Sequence, residues 1–320
     1  MITLKSIFKI LVPLSIGLFF IYISISTTSE EERFLIYNFI KNADYRFLIL
    51  SVCFGILSHL SRAYRWKFLL APLGYKPRFI NSVLSVMIAY IANLGIPRSG
   101  EILRATTLSS YEKIPFEKAF GTIIAERLVD LMFLVVFILI ALSLQFDLIW
   151  RVLNEKQVSP INLIIVAGII GTGFYILRFI FKQNQNPLVK KIKVFLSGLV
   201  DGIMSLKTMP NKGFFILHSF FIWSMYLAMF WIIKWTIPET SSLGMSALLP
   251  AFVIGGLTIS ATNGGIGIYP FSVALMLFSF GVSNESGLAF GWIVWTSQTA
   301  MIIVCGSLSF FALPLVNRQK

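Results

Sequence analysis

Charge is what this sequence has least of. Aspartate, glutamate, lysine and arginine make up 13% of its 320 residues, about half the ~25% of an ordinary soluble domain. That scarcity excludes water as the solvent for most of the chain. Acidic residues are the rarer half, 14 against 27 lysines and arginines. Cysteine occurs only at Cys53 and Cys305, each inside an apolar run, so no disulfide framework or redox pattern is available. Histidine is confined to His59 and His218, which lie far apart without acidic companions and read as core or interface residues; no metal site is expected. A Walker loop, a G-x-S-x-G elbow and an H-E-x-x-H pair are all missing, so neither ATP hydrolysis nor a familiar hydrolase has support, and no cofactor is expected. Nucleic-acid motifs are missing too.

What the chain has in abundance is long apolar runs. Hydrophobic residues make up 57% and mean hydropathy is +0.82. Runs at Ile10–Ile25, Phe47–Leu69, Leu128–Leu144, Ile161–Leu177, Phe214–Ile233, Leu243–Ala261 and Leu288–Val316 mostly approach or exceed the ~17–25 residues of a membrane-spanning helix. Backbone in lipid must satisfy its own hydrogen bonds, and the ~10-residue alternation of a β-barrel is not seen. The expected fold is an all-α polytopic membrane protein of about 6–8 transmembrane helices, one domain over residues 1–320, with one or two re-entrant or broken helix hairpins and an inverted pseudo-repeat. Lys5 and Lys9 before the first run give it the look of a signal peptide, but the run exceeds a ~7–15-residue signal core and reads as an uncleaved span.

Lysine and arginine set the orientation. With both termini cytoplasmic and the acidic "TTSEEERF" loop outside, most of the 27 basic residues fall on the inner side of a plasma or inner membrane. This holds only if Ile80–Ile96 enters and turns back, so about residues 80–110 are expected to form a re-entrant hairpin whose turn is "GIPRSG". Its second arm would open at Ser99 as N-cap, with Glu101 in the first turn where the helix dipole favours an acid. A second uncharged stretch, about 243–282, is interrupted by Asn263, Gly264, Gly265 and Gly267; the charge count leaves open a hairpin or two full spans. Paired broken helices in two halves point to a transporter-like site. Residues 186–207 read as a basic amphipathic helix on the inner leaflet, carrying Lys190, Lys191 and Lys193. Arg62 and Arg65 read as membrane-surface topology determinants at the end of the second run.

Those stretches also resemble a known family. "RAYRWKFLL", "NLGIPRSGEILRATTL", "AERLVD" and "NGGIGIYP" look like the flippase-like membrane family related to the membrane domain of lysylphosphatidylglycerol synthases, over nearly the whole chain. The late motif departs: Ala261, Thr262 and Asn263 precede the glycines, and Pro270 stands where the family has a glutamate. The resemblance implies movement of a phospholipid, often aminoacylated or otherwise modified, between leaflets, with a separate lipid-modifying enzyme as partner. No soluble aminoacyl-transferase domain is expected, the sequence running to Lys320 just past its last span, and synthase activity is not carried over. The candidate headgroup cavity comprises Arg98, Glu101, Arg104, Glu126, Arg127, Asp130, Asn263, Gly264, Gly265, Gly267, Tyr269 and Gln298. Arg98 and Arg104 fit either snorkelling at the interface or a lipid phosphate. Glu101 fits an intrahelical pair with Arg104, a hold on both arginines, or a contact with the amino group of an aminoacylated lipid. Glu126 and Asp130, one helical turn apart, fit an interfacial salt-bridge cluster at the start of the third span or a site. Two other function classes stay open: an intramembrane enzyme, or enzyme subunit, acting on a lipid-linked substrate, and a non-catalytic scaffold.

Overall fold

The computed structural model describes residues 30–96, 98–145, 206–262 and 264–318. The expected spans Ile10–Ile25 and Ile161–Leu177, and the surface helix with Lys190, Lys191 and Lys193, lie outside the described residues. Within them the chain is helical throughout and contains no strand. Four helices are long and apolar enough to cross a membrane: α2 (Tyr45–Leu70, continued by a 3-10 turn to Leu73), α5 (Phe116–Leu144), α6 (Lys212–Ile232, continued to Thr236) and α9 (Asn284–Val316). Side chains such as Met132, Leu139, Phe310 and Phe311 stand exposed on α5 and α9, as lipid-facing surfaces require.

Between these run shorter pieces. The expected external loop holds a helix, α1 (Glu30–Lys41), with glutamates at its start and Lys41 in its last turn, the charge order a helix dipole favours. The first hairpin is α3 (Phe79–Gly95) and α4 (Ser99–Glu112). The second is α7 (Met245–Ala261) and α8 (Ile268–Phe278). At 1.5 Å per residue, α4 is ~21 Å long and α8 only ~16 Å, short of the ~30 Å hydrocarbon core. Helix α8 is therefore shorter than the hydrocarbon thickness, and it packs back on α7. The order short helix, break, short helix, long helix thus occurs twice, as α3–α4–α5 and α7–α8–α9.

The breaks differ in construction. In the first, Arg98 adopts left-handed backbone (φ 61°), uncommon for a residue with a side chain. Ser99 is not the N-cap: it is the first helical residue, and its hydroxyl donates backward to the carbonyls of Ala92 (3.0 Å) and Ile96 (2.8 Å). The free N–H of Gly100 is instead taken by Asn93 Oδ1 at 2.8 Å, so α3 caps α4. The arms are pressed together there; a Cβ on Gly100 would stand 2.1 Å from the Ala89 carbonyl oxygen. In the second, Gly264, Gly265 and Gly267 all have positive φ (65°, 76°, 71°), which glycine adopts without steric cost. Thr262 Oγ1 accepts from the Gly265 N–H at 3.1 Å, and the Gly264 carbonyl accepts from Trp295 Nε1 of α9 at 2.8 Å.

Two apolar clusters flank these hairpins. One packs Phe230, Leu248, Val273, Phe290 and Ile293 of α6–α9; the other packs Trp66, Leu69, Ala105, Leu108 and Ile123 of α2, α4 and α5. The base of the first hairpin is tied to the end of α9 by a polar knot. Asn317 Nδ2 donates to Asn81 Oδ1 (2.9 Å) and to the Leu313 carbonyl (2.8 Å), Arg78 donates to Asn317 Oδ1, and Asn81 donates to Glu112.

Candidate functional site

The sequence alone suggests that the charges of α5 sit at a membrane interface. The structure places them inside. Helix α5 begins at Phe116, not Leu128, so Glu126 lies ten residues, ~15 Å, along it. Glu126 is fully buried and Asp130 nearly so. A buried carboxylate must be paired, and its close partners come from two other helices.

Those partners include Arg62 and Arg65, which are corrected from surface determinants to buried residues at 2% and 0% exposure. One helical turn apart on α2, they face α5 together. Arg62 Nη1 donates to Glu126 Oε1 (2.6 Å) and Asp130 Oδ2 (2.7 Å). Arg65 Nη2 donates to Asp130 Oδ1 (3.0 Å) and lies 3.2 Å from Glu126 Oε1, while its Nη1 donates to Ser219 Oγ (2.6 Å). Arg104 of α4 makes a two-pronged pair with Glu126, 3.0 Å at each oxygen, and its Cζ lies over the Trp66 ring, 3.9 Å from the centroid. The intrahelical Glu101–Arg104 pair, one of the alternatives left open by the sequence, is absent among the described residues. Glu101 turns instead toward Arg127, Oε1 to Nε 3.6 Å. Tyr90 and Tyr226 extend the network: their hydroxyls are 3.0 Å apart, Arg62 Nη2 reaches Tyr226 at 3.4 Å, and the buried His59 ring stacks on Tyr90 at 4.3 Å. His218 accepts or donates at Ser61 Oγ, 2.8 Å away. Among the described residues no cluster of histidine, cysteine, aspartate and glutamate could hold a metal.

Beside this network lies a cavity of about 630 Å³, within the ~300–1,000 Å³ of small-ligand sites. Its walls come from both breaks. Arg98 and Glu101 contribute from the first, Thr262 and Gly264 from the second, Arg127 from α5, and Tyr269, Trp295 and Gln298 from α8 and α9. The two breaks touch, since a Cβ on Gly264 would stand 2.8 Å from Leu94. Arg104 does not line this cavity. With Arg62 it faces an adjoining recess of about 10 Å³, room for no more than one water. Gly265 and Gly267 shape the turn without lining it, and Asn263 lies outside the described residues. Sequence reasoning missed Arg62, Arg65, Tyr90 and Tyr226. A signal for the first two exists: Ser51, Gly55, Ser58, Arg62, Arg65 and Leu69 recur at three- and four-residue spacing and all are buried, a stripe along one helix face.

Comparison with known proteins agrees with this architecture. A membrane protein of the UPF0104 group from Methanocaldococcus jannaschii is 25% identical over 307 residues, 87% of each chain. Another from Pyrococcus horikoshii is 26% identical over 272 residues, covering 76% of this chain and 79% of the relative. No solved structure matches. The family described as the lysylphosphatidylglycerol synthase TM region matches residues 10–306, and the chain belongs to that family of integral membrane proteins.

Proposed function

We propose that the chain moves a phospholipid, or a modified or lipid-linked relative of one, between membrane leaflets, binding its headgroup in the cavity between the two hairpins. One observation carries the reading: the cavity joins both helix breaks to a network with surplus positive charge. Among the described residues Arg62, Arg65, Arg104 and Arg127 face the acids Glu101, Glu126 and Asp130, an excess of one positive charge before exposed Arg98 is counted. A phosphate drawn through hydrocarbon needs such a counter-charge, because an unpaired ion in low dielectric is prohibitively costly. The start of α4 adds a helix dipole of favourable sign. In this reading both termini face the cytoplasm and the first hairpin approaches from that side.

The test is reconstitution of the purified chain into phosphatidylcholine vesicles containing phosphatidylglycerol labelled on its acyl tail, read by quencher accessibility of the outer leaflet. Accelerated redistribution of chemically unchanged lipid supports transport. Recovery of a converted lipid shows the intramembrane enzyme instead, and a rate equal to protein-free vesicles overturns both. Variants Gly264→Val and Gly265→Val, which cannot hold the turn, are expected to insert and lose the activity.

A further inference from the structure

The four arginines of the network are not held alike. Glu126 and Asp130 have every oxygen engaged at 3.0 Å or less by Arg62, Arg65 and Arg104. Arg127 receives what is left. It lies 3.5 Å from Asp130, 3.6 Å from Glu101 and 4.0 Å from Glu126, beyond the ~2.7–3.2 Å of a good N–H···O bond. The side chain is 43% exposed, against 3% or less for the other three. Glu101 is equally underused. Its Oε2 is buried with no hydrogen-bond partner, and both residues line the cavity.

We propose that Arg127 is the anion-binding residue of this cavity and that Glu101 is its resting counter-ion, exchanged for the phosphodiester of an arriving ligand; the inference rests on the lipid reading above. Arg62, Arg65 and Arg104 cannot turn to a ligand without each giving up a bond of 3.0 Å or less to a buried carboxylate. Arg127 can, because it gives up only long contacts and gains charge-assisted bonds of ~2.7–2.9 Å, two at once through its planar fork. The exchange also has a mechanical side. Glu101 belongs to α4 and Arg127 to α5, so an arriving phosphate replaces one of the links between hairpin and span while Arg104–Glu126 keeps the other. Ligand binding and the Glu101 contact then oppose each other, and removing one strengthens the other.

The experiment uses the purified full chain in detergent, titrated with short-chain phosphatidylglycerol and, as the neutral reference, the diacylglycerol of the same acyl chains. Glu101→Gln is expected to bind phosphatidylglycerol about two- to fivefold more tightly, the range of a loose, half-exposed ion pair. Arg127→Gln is expected to lose about tenfold or more, as for a charge-assisted hydrogen bond, and Arg127→Lys to recover part of that. In the double variant the gain from Glu101→Gln vanishes, because its partner is gone. Thermal unfolding close to wild type shows that the variants fold, as long contacts imply. Weaker binding by Glu101→Gln, or unchanged binding by Arg127→Gln beside a binding wild type, overturns the exchange and leaves the lipid reading standing. A wild-type chain that does not distinguish phosphatidylglycerol from the diacylglycerol overturns both.

Discussion

Replacing Glu126 by glutamine tests whether the arginine network is a strut. Glu126 is fully buried and serves three guanidinium groups: Arg62 at 2.6 Å, Arg104 at 3.0 Å on both oxygens, and Arg65 at 3.2 Å. The amide keeps the shape but loses the charge, and its NH2 must point a donor at a guanidinium that is also all donors. Arg62 and Arg65 are then left with Asp130, and Arg104 with no carboxylate within 4 Å among the described residues. Removing one member of a buried ionic cluster costs about 3–5 kcal/mol, a large share of a total stability of about 5–15 kcal/mol. Glu101→Gln is the internal comparison, because its single contact is 3.6 Å long and a quarter of its side chain is exposed; a pair of that kind is worth about 0–1 kcal/mol. The measurement is the unfolding midpoint of the detergent-purified protein, followed by tryptophan fluorescence. Glu126→Gln should fall well below wild type, with Glu101→Gln beside wild type. Adding Arg104→Met to Glu126→Gln should recover part of the loss, since an apolar replacement removes the stranded charge. Equal midpoints for Glu126→Gln and Glu101→Gln would refute the reasoning, for they would mean that the network is not sealed from solvent.

Gly100→Ala places a methyl 2.1 Å from the Ala89 carbonyl oxygen, and backbone cannot yield as a flexible side chain can; the hairpin should open at a cost of at least about 1–3 kcal/mol, seen as faster proteolysis near residue 96. Asn317→Ala removes the centre of the knot joining α3 and α9 and leaves Asn81, buried at 0% exposure, short of a partner; a loss of about 1–3 kcal/mol is expected, read from the same unfolding midpoint. Glu239, in the turn after α6, accepts from the Ser283 N–H (2.8 Å) and hydroxyl (2.6 Å). Partial burial pushes its carboxyl up, but the bonds from Ser283 and Ser286 outweigh this and hold it below the ordinary 4.5. A depressed acid stabilises the fold above that value and loses the contribution as pH falls below it, so Glu239→Gln should flatten the acid limb of a stability-versus-pH curve below about pH 4.5 and leave neutral pH little changed.

The fold was legible where a single physical rule decides it. Apolar length marks α2, α5, α6 and α9, because hydrocarbon accepts little else. The Gly-Ile-Pro-Arg and Asn-Gly-Gly interruptions mark both breaks, because a helix cannot pass through them. What length could not give was the helix starts. Helix α5 extends back across Lys118, Glu126 and Arg127, since charges paired inside the protein do not end a span as charges meeting water do. Capping was misread for a related reason. Ser99 has the chemistry of an N-cap, but it is the first helical residue, and the N–H of Gly100 is met by Asn93 from the neighbouring arm, a contact seven residues away that local pattern does not contain.

The site divides along the same line. Arg98, Glu101, Arg127, Gly264, Tyr269 and Gln298 line the cavity; Arg98, Glu101, Gly264 and Tyr269 stand in or near a break that the sequence displays, and Arg127 and Gln298 lie mid-helix, legible as polar groups in apolar runs. Arg62 and Arg65 were misassigned because an arginine at the end of an apolar run looks the same whether it meets headgroups or a carboxylate. The difference lies 64 residues on, at Glu126. Hydropathy prices a residue by its own transfer energy, whereas here the transfer is of a cluster. Arg62, Arg65, Arg104, Glu126 and Asp130 enter the interior together, each cancelling a cost that would exclude it alone. That cooperation also separates the roles inside the site: charges that close each other's contacts hold the helices, and Arg127, which none of them satisfies, is left to meet what enters.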